Sequence, residues 1–294
     1  NRGIFAINEL PDLAERIQVG LLNVMEERDV QVRGYKIRLP LDVLLVASAN
    51  PEDYTNRGRL ITPLKDRFGS QIRTHYPLDI GIEMAIVDAE AQVGGIDGVE
   101  VVMPEVMSEI VATFSQLARQ SPHISQRSGV SVRLSVANEE ALAANATRRS
   151  LRLGEPTVVP RVCDLEALVA STSGKVEIES LEEDREGEII DHLIRSAVLT
   201  VARDRLDPAH LAAVVEAFAE LDPVECGEDV STSTYVGLCE AVPALARVTE
   251  SMFGDAPSAA QTACAVELAL EALHLSKRLN KDAVGGRSQY RARA

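Results

Sequence analysis

The hydrophobic pattern of the chain changes character near residue 78. Before that point, short unbroken apolar runs alternate with one helical stripe. Ile4-Phe5-Ala6-Ile7 and "DVLLVASAN" at 42–50 are continuous apolar runs, the pattern of strands buried on both faces of a parallel sheet. Between them Pro11 opens an amphipathic helix to about Glu27, with Leu13, Ile17, Leu21, Leu22 and Met25 on one face. "DVQVRGYKIRL" alternates around Gly34 and predicts a β-hairpin. "LITPLKDRF" predicts a short helix with Pro63 in its first turn, and "SQIRTHY" a third, shorter strand. That order of elements is α/β organisation.

After Pro77 the period becomes helical. Helices are predicted at 79–93, at Met103–Gln120 beyond the break "GGIDG", and from about Val130. Pro156 and Pro160 mark a loop before a short helix in "RVCDLEALVAS", and "KVEIESLEEDREGE" reads as an extended piece entering an acidic helix start. Four helical segments follow, "IIDHLIRSAVLTVARDRL", "PAHLAAVVEAFAEL", "STYVGLCEAVPALARVTESMF" and "SAAQTACAVELALEALHLSKRL". The glycine-led basic ending "GGRSQYRARA" predicts a disordered tail. The predicted fold class is α/β followed by all-α. Its domains are 1–78, a helical domain 79–175, an acidic helical domain 176–284 and the tail 285–294.

Composition sharpens this picture in three places. Aromatic residues are only 3% with no Trp, so the core is built from Leu, Val, Ile and Ala, which favours helices. Residues 1–80 hold 11 basic and 11 acidic side chains, so the net charge of −15 falls on the remainder and argues against a nucleic-acid partner. Cys163, Cys226, Cys239 and Cys264 form no CxxC pair and the histidines no HExxH, so reduced thiols are expected rather than disulfides or zinc. With no apolar run long enough to span a bilayer and no signal-peptide pattern, the sequence reads as cytoplasmic.

The candidate chemistry starts where the first strand stops, at Asn8-Glu9. A carboxylate at a strand's carboxyl end can take the proton of an attacking water, and an amide beside it can hold a metal-bound water without contributing charge. In isolation the pair also reads as a polar cap on a buried strand. Asn50 closes the second apolar run before Pro51, a common turn start whose position ending a strand gives it a functional reading.

In order and spacing these pieces resemble the second half of an AAA+ ATPase core, in the branch of the MoxR proteins and the ATPase I subunit of magnesium chelatase. "RGIFAINE" resembles the Walker B strand of that branch, "ASANPEDYTNRGRLITPLKDRFG" its sensor 1 through arginine-finger segment, and "GVSVR" its sensor 2. The resemblance covers about 1–175 and implies a parallel-sheet core followed by a helical lid. It implies Glu9 as the catalytic base, and Asn8, where the family has Asp, as the residue holding Mg²⁺ through water. It further implies Asn50 as sensor 1, Arg67 as an arginine finger acting in the neighbouring subunit's site, and Arg133 as sensor 2 toward ATP. Arg57 and Arg59 stand near enough to share the finger's role, and Arg127 is a substitute for Arg133. The plainer reading of Arg67 is a surface salt bridge to Asp66 or Glu52.

The implied function is a ring-forming ATPase, a hexamer, that remodels a protein partner, often one with a von Willebrand A-type domain. The hairpin at 30–38 would face the pore or the partner. No GxxxxGK[ST] occurs in the chain, and "STSGKVE" lacks the first glycine and the hydroxyl residue of that loop. The expectation is therefore a piece whose phosphate-cradling half lies upstream. Two other classes stay open: a non-hydrolysing scaffold, which Asn8 favours, and a DNA-remodelling ATPase, which the acidity opposes.

Overall fold

A computed structural model describes residues 2–28, 41–50, 60–94, 99–125, 129–178, 185–284 and 287–293. The predicted hairpin at 29–39, Arg57, Arg59 and Arg127 lie outside the described residues. The chain divides into two compact units, Asn1–His75 and Tyr76–Ala294.

In the first unit, β1 (Gly3–Ile7) runs parallel to β2 (Val43–Ala47), in register from Gly3 opposite Val43 to Ile7 opposite Ala47. Pro11 does not open the helix. It sits in a 3-10 turn, Leu10–Asp12, and α1 (Glu15–Glu26) starts after Ala14 turns the chain. Buried Gln18 on α1 donates to the Leu13 carbonyl at 2.9 Å and accepts the Ile61 N–H at 3.0 Å, which ties α1 to the start of α2 (Thr62–Lys65). The strands are not buried on both faces as their apolar runs predict, because Ile4 is 73% and Leu44 61% exposed. Nor does 70–76 form a strand. Ile72 is exposed, and an extended segment becomes a strand only when a neighbour accepts its hydrogen bonds.

The second unit is mainly helical. Asp79 caps α3 (Ile80–Glu90) by accepting the N–H groups of Gly81 and Ile82 at 2.7 and 3.3 Å. Then come α4 (Glu105–Gln120), α5 (Val132–Leu153), α6 (Ala167–Thr172), α7 (Glu186–Arg205) and α8 (Pro208–Phe218). One helical segment of the sequence is two helices, α9 (Thr232–Ala241) and α10 (Pro243–Phe253), since Pro243 lacks the N–H that would continue the first. α11 (Ala259–Leu275) is buried almost all round and forms the centre of the unit, with a Ser258/Gln261 capping box at its start.

The region after residue 78 is not all-α. Numbering on in chain order, β3 (Glu100–Val101) pairs in parallel with β4 (Thr157–Val158), and a three-stranded antiparallel sheet has the order β5 (Val224–Cys226), β7 (Arg287–Ala292), β6 (Leu279–Val284). The segment expected as a disordered tail therefore supplies the middle strand of a sheet. Tyr290, buried on that strand, explains it. A half-buried strand needs one apolar side chain facing inward, and its hydroxyl finds Glu271 of α11. The expected boundary at 175/176 falls inside this unit, where α4 and α7 pack on one another through Met107, Ile110, Ile194 and Val198.

Candidate functional site

β1 and β2 run parallel and in register, so the residues that follow them emerge at one edge. Ile7 ends β1, and Asn8 and Glu9 come next, both exposed. Glu9 has φ +53° and ψ +51°, a left-handed conformation that side chains other than glycine rarely adopt. Ser48, the residue after β2, holds it there. The Ser48 hydroxyl accepts the Glu9 N–H at 3.1 Å, and the Ser48 carbonyl accepts the Leu10 N–H at 2.9 Å. The Ser48 N–H in turn donates to the Ile7 carbonyl at 2.9 Å. One residue thus locks both strand ends, and Asn50 lies two positions further on, exposed.

The carboxyl edge of parallel strands is where open α/β sheets place their ligands. Among the described residues no group of three or more His, Cys, Asp or Glu is arranged to hold a metal ion. The donor set at the strand end is one carboxylate and one amide. It suits Mg²⁺, which keeps most of its waters and takes only one or two protein oxygens.

Arg67 follows α2 and belongs to the same unit. Its guanidinium pairs with Glu26 at the end of α1, and Nη1 donates to the Pro63 carbonyl at 2.7 Å. The partner is Glu26 rather than the sequence neighbour Asp66. The side chain is 29% exposed and lines a small cavity of about 240 Å³ with Arg28, Asp42 and Phe68. Surface pairs of this kind contribute about 0–1 kcal/mol, so little free energy holds Arg67 to Glu26.

Arg133 belongs to the second unit, exposed in the first turn of α5, where its N–H donates to the Ser131 hydroxyl at 3.2 Å. The start of α5 is held by a network absent from the sequence reading. Arg119 of α4 donates Nε to the Val130 carbonyl at 2.9 Å and both Nη groups to buried Glu83 of α3, at 2.5 and 2.7 Å. Its guanidinium also stacks 4.9 Å from the Tyr76 ring centroid. Gly129 is packed against the Tyr76 hydroxyl at φ +69°, where a Cβ would come within 2.2 Å of that oxygen.

A second network missed in the sequence surrounds α11. Arg149 of α5 donates to both carboxylate oxygens of Asp164, at 3.0 and 2.9 Å, and Asp164 also accepts the Arg161 N–H at 2.9 Å. Arg161 lies 3.5 Å from Glu267 of α11, whose carboxylate also accepts the Tyr235 hydroxyl at 2.6 Å and the Cys163 N–H at 2.8 Å. Burial pushes the Cys163 thiol well above its usual range, and the nearby Glu267 and Asp164 carboxylates push the same way. It is an inert thiol. Nothing in "RRS" or "PRVCD" marks these charges as buried, because a charge run looks alike on a surface and in a core.

No protein-family model matches the chain. It is similar to the magnesium-chelatase 38 kDa subunit of Cereibacter sphaeroides, with 35% identity over 89 residues, which is 30% of this chain and 25% of that protein. The match spans about a quarter of the relative's length. Among the described residues, no helix is long and apolar enough to cross a membrane.

Proposed function

We propose that the chain is part of an ATP-hydrolysing AAA+ motor of the magnesium-chelatase kind, working in a ring and remodelling a protein partner. The observation that carries this reading is the pair of parallel strand ends locked through Ser48, with Glu9 after one and Asn50 after the other. The similarity to a magnesium-chelatase subunit supports it.

Glu9 accepts the proton of the attacking water, and its left-handed backbone aims it off the strand axis. Asn8 holds a metal-bound water through its amide oxygen. Asn50 donates to the γ-phosphate, Arg67 leaves Glu26 to meet a neighbouring subunit's site, and Arg133 meets phosphate from a helix start. When bound, Mg²⁺ neutralises the phosphoryl oxygens on which these residues act. A hexamer and a partner with a von Willebrand A-type domain rest on the family resemblance alone.

Steady-state ATP turnover of the assembled protein tests the reading. Glu9→Gln should lower kcat on the order of 10²–10⁴-fold with KM nearly unchanged. Equal background rates for both proteins would refute the motor. Asn8 favours a second reading, a scaffold that binds without turnover. Asn8→Asp raising turnover identifies the amide as a brake, and an Asn8→Asp protein as inactive as the parent favours the scaffold.

A further inference from the structure

Glu83 of α3 and Arg119 of α4 form a two-pronged ion pair whose side chains are 2% and 11% exposed. A buried fork of this kind is rigid, because a planar guanidinium and a carboxylate meet in one orientation. The remaining polar atoms of the pair both turn to α5. Arg119 Nε donates to the Val130 carbonyl at 2.9 Å, just before that helix begins. Glu83 Oε1 accepts the hydroxyl of Ser135, which is fully buried one turn into the helix. The pair thus holds α5 at two points, and Arg133 lies between them.

Arg133 is exposed and forms no ion pair among the described residues. Its place is set by the first turn of the helix that carries it. Within that turn the Ser131 hydroxyl accepts the Arg133 N–H at 3.2 Å, and the Ser131 carbonyl accepts the Leu134 N–H at 2.9 Å. Neither bond reaches another element. The Glu83–Arg119 pair supplies the polar anchor to α3 and α4. Tyr76 closes the arrangement, with its ring over the Arg119 guanidinium and its hydroxyl packed against Gly129, next to Val130.

We infer that Arg119 is the positioning residue of Arg133. Through the Val130 carbonyl and the Glu83–Ser135 contact it holds the first turn of α5 where Arg133 meets phosphate, without touching the nucleotide itself. This role deepens the motor reading and rests on it, since Arg133 must meet phosphate for its placement to matter. Lysine cannot take the role. Its ammonium keeps a charge beside Glu83 but lacks the fork that spans two carboxylate oxygens and the Val130 carbonyl at once.

Arg119→Lys tests this, chosen over Arg119→Met because it leaves no uncompensated charge on Glu83. In steady-state ATP turnover of the assembled protein, Arg133→Ala should lower kcat/KM. Arg119→Lys, with native circular dichroism, should lower it by about tenfold or more, the penalty of a displaced phosphate-binding group. Arg119→Lys/Arg133→Ala should match Arg133→Ala alone to within about twofold, because a residue acting only through Arg133 then has nothing left to position. Losses that multiply, or an Arg119→Lys protein as fast as the parent, overturn the positioning role and leave the motor reading intact. An Arg133→Ala protein as fast as the parent removes the role of Arg133 and overturns that of Arg119 with it. Amide hydrogen exchange needs no nucleotide. Leu134 and Ser135 should exchange about tenfold faster in Arg119→Lys than in the parent, with Ala143 and Ala146 unchanged. Unaltered exchange at Leu134 and Ser135 overturns the positioning role whatever the turnover.

Discussion

Removing Asp164 is the sharpest test of how the second unit is held together. Its side chain is 0% exposed and that of Arg149 1%, so their ion pair is dry. Asp164→Ala leaves the Arg149 guanidinium, among the described residues, with Glu155 at 3.2 Å and the Val159 carbonyl at 2.8 Å. It also strands the Arg161 N–H. Breaking a buried pair from one side costs about 3–5 kcal/mol, and the orphaned N–H adds about 1 kcal/mol. The expected loss is therefore about 4–6 kcal/mol, or a fall of roughly 8–24 °C in Tm for a unit of this size. Urea unfolding followed by far-ultraviolet circular dichroism measures it. The double variant Arg149→Met/Asp164→Leu should recover most of the loss, since a packed apolar pair replaces a buried ionic one at little net change. A loss below about 1 kcal/mol for Asp164→Ala, or a double variant no better than the single, would refute the account of a buried, energetically coupled pair.

Glu139 of α5 is buried, with Oε1 accepting the Ser108 hydroxyl at 2.6 Å and Oε2 unpartnered among the described residues. Burial raises its pKa, the Ser108 hydrogen bond lowers it and nearby Asp88 raises it. A carboxyl with a raised folded pKa favours the fold when protonated, so its contribution is fully present below the ordinary carboxylate range and lost as pH rises through the folded value. Glu139→Gln should stabilise the unit by about 1–2 kcal/mol near pH 8 and by nothing near pH 4; a gain that persists at pH 4 contradicts this. Glu9→Gly should not destabilise the first unit, because relief of a left-handed backbone worth about 1–2 kcal/mol offsets the entropy that glycine loses on folding. A drop of more than 1 kcal/mol would show that Glu9 is not strained. Truncation after Val284 should expose the β5 and β6 edges and lower the unfolding midpoint of the second unit; an unchanged midpoint would mean that β7 contributes nothing to stability.

The strand ends were legible because an apolar run stopping at Asn8-Glu9 is a purely local pattern. Their clasp was not, since Ser48 resembles any small polar residue at a strand's end. β7 was misread for a similar reason. "RSQYRARA" is basic and polar, and only Tyr290 at its centre marks a half-buried strand. The predicted strand at 70–76 failed the other way, since its alternation is real but a ladder depends on a partner that the local sequence cannot supply. Arg119, Arg149 and Arg161 were missed because burial of a charge is decided by the helices that close over it.

The order β5-β7-β6 also sets a clock on synthesis. Among the described residues β5 has β7 as its only ladder partner, and Val224 waits for Tyr290 to leave the ribosome. At ~5–20 residues per second, a gap of roughly 65 residues is a delay on the order of several seconds. Through that interval Cys226 and the β5 edge stand open, and Glu271, once made, waits first for Lys281 and then for Tyr290. A nascent chain paused in this window presents an unpaired strand beside a buried acid, the kind of surface a ribosome-associated chaperone would shield.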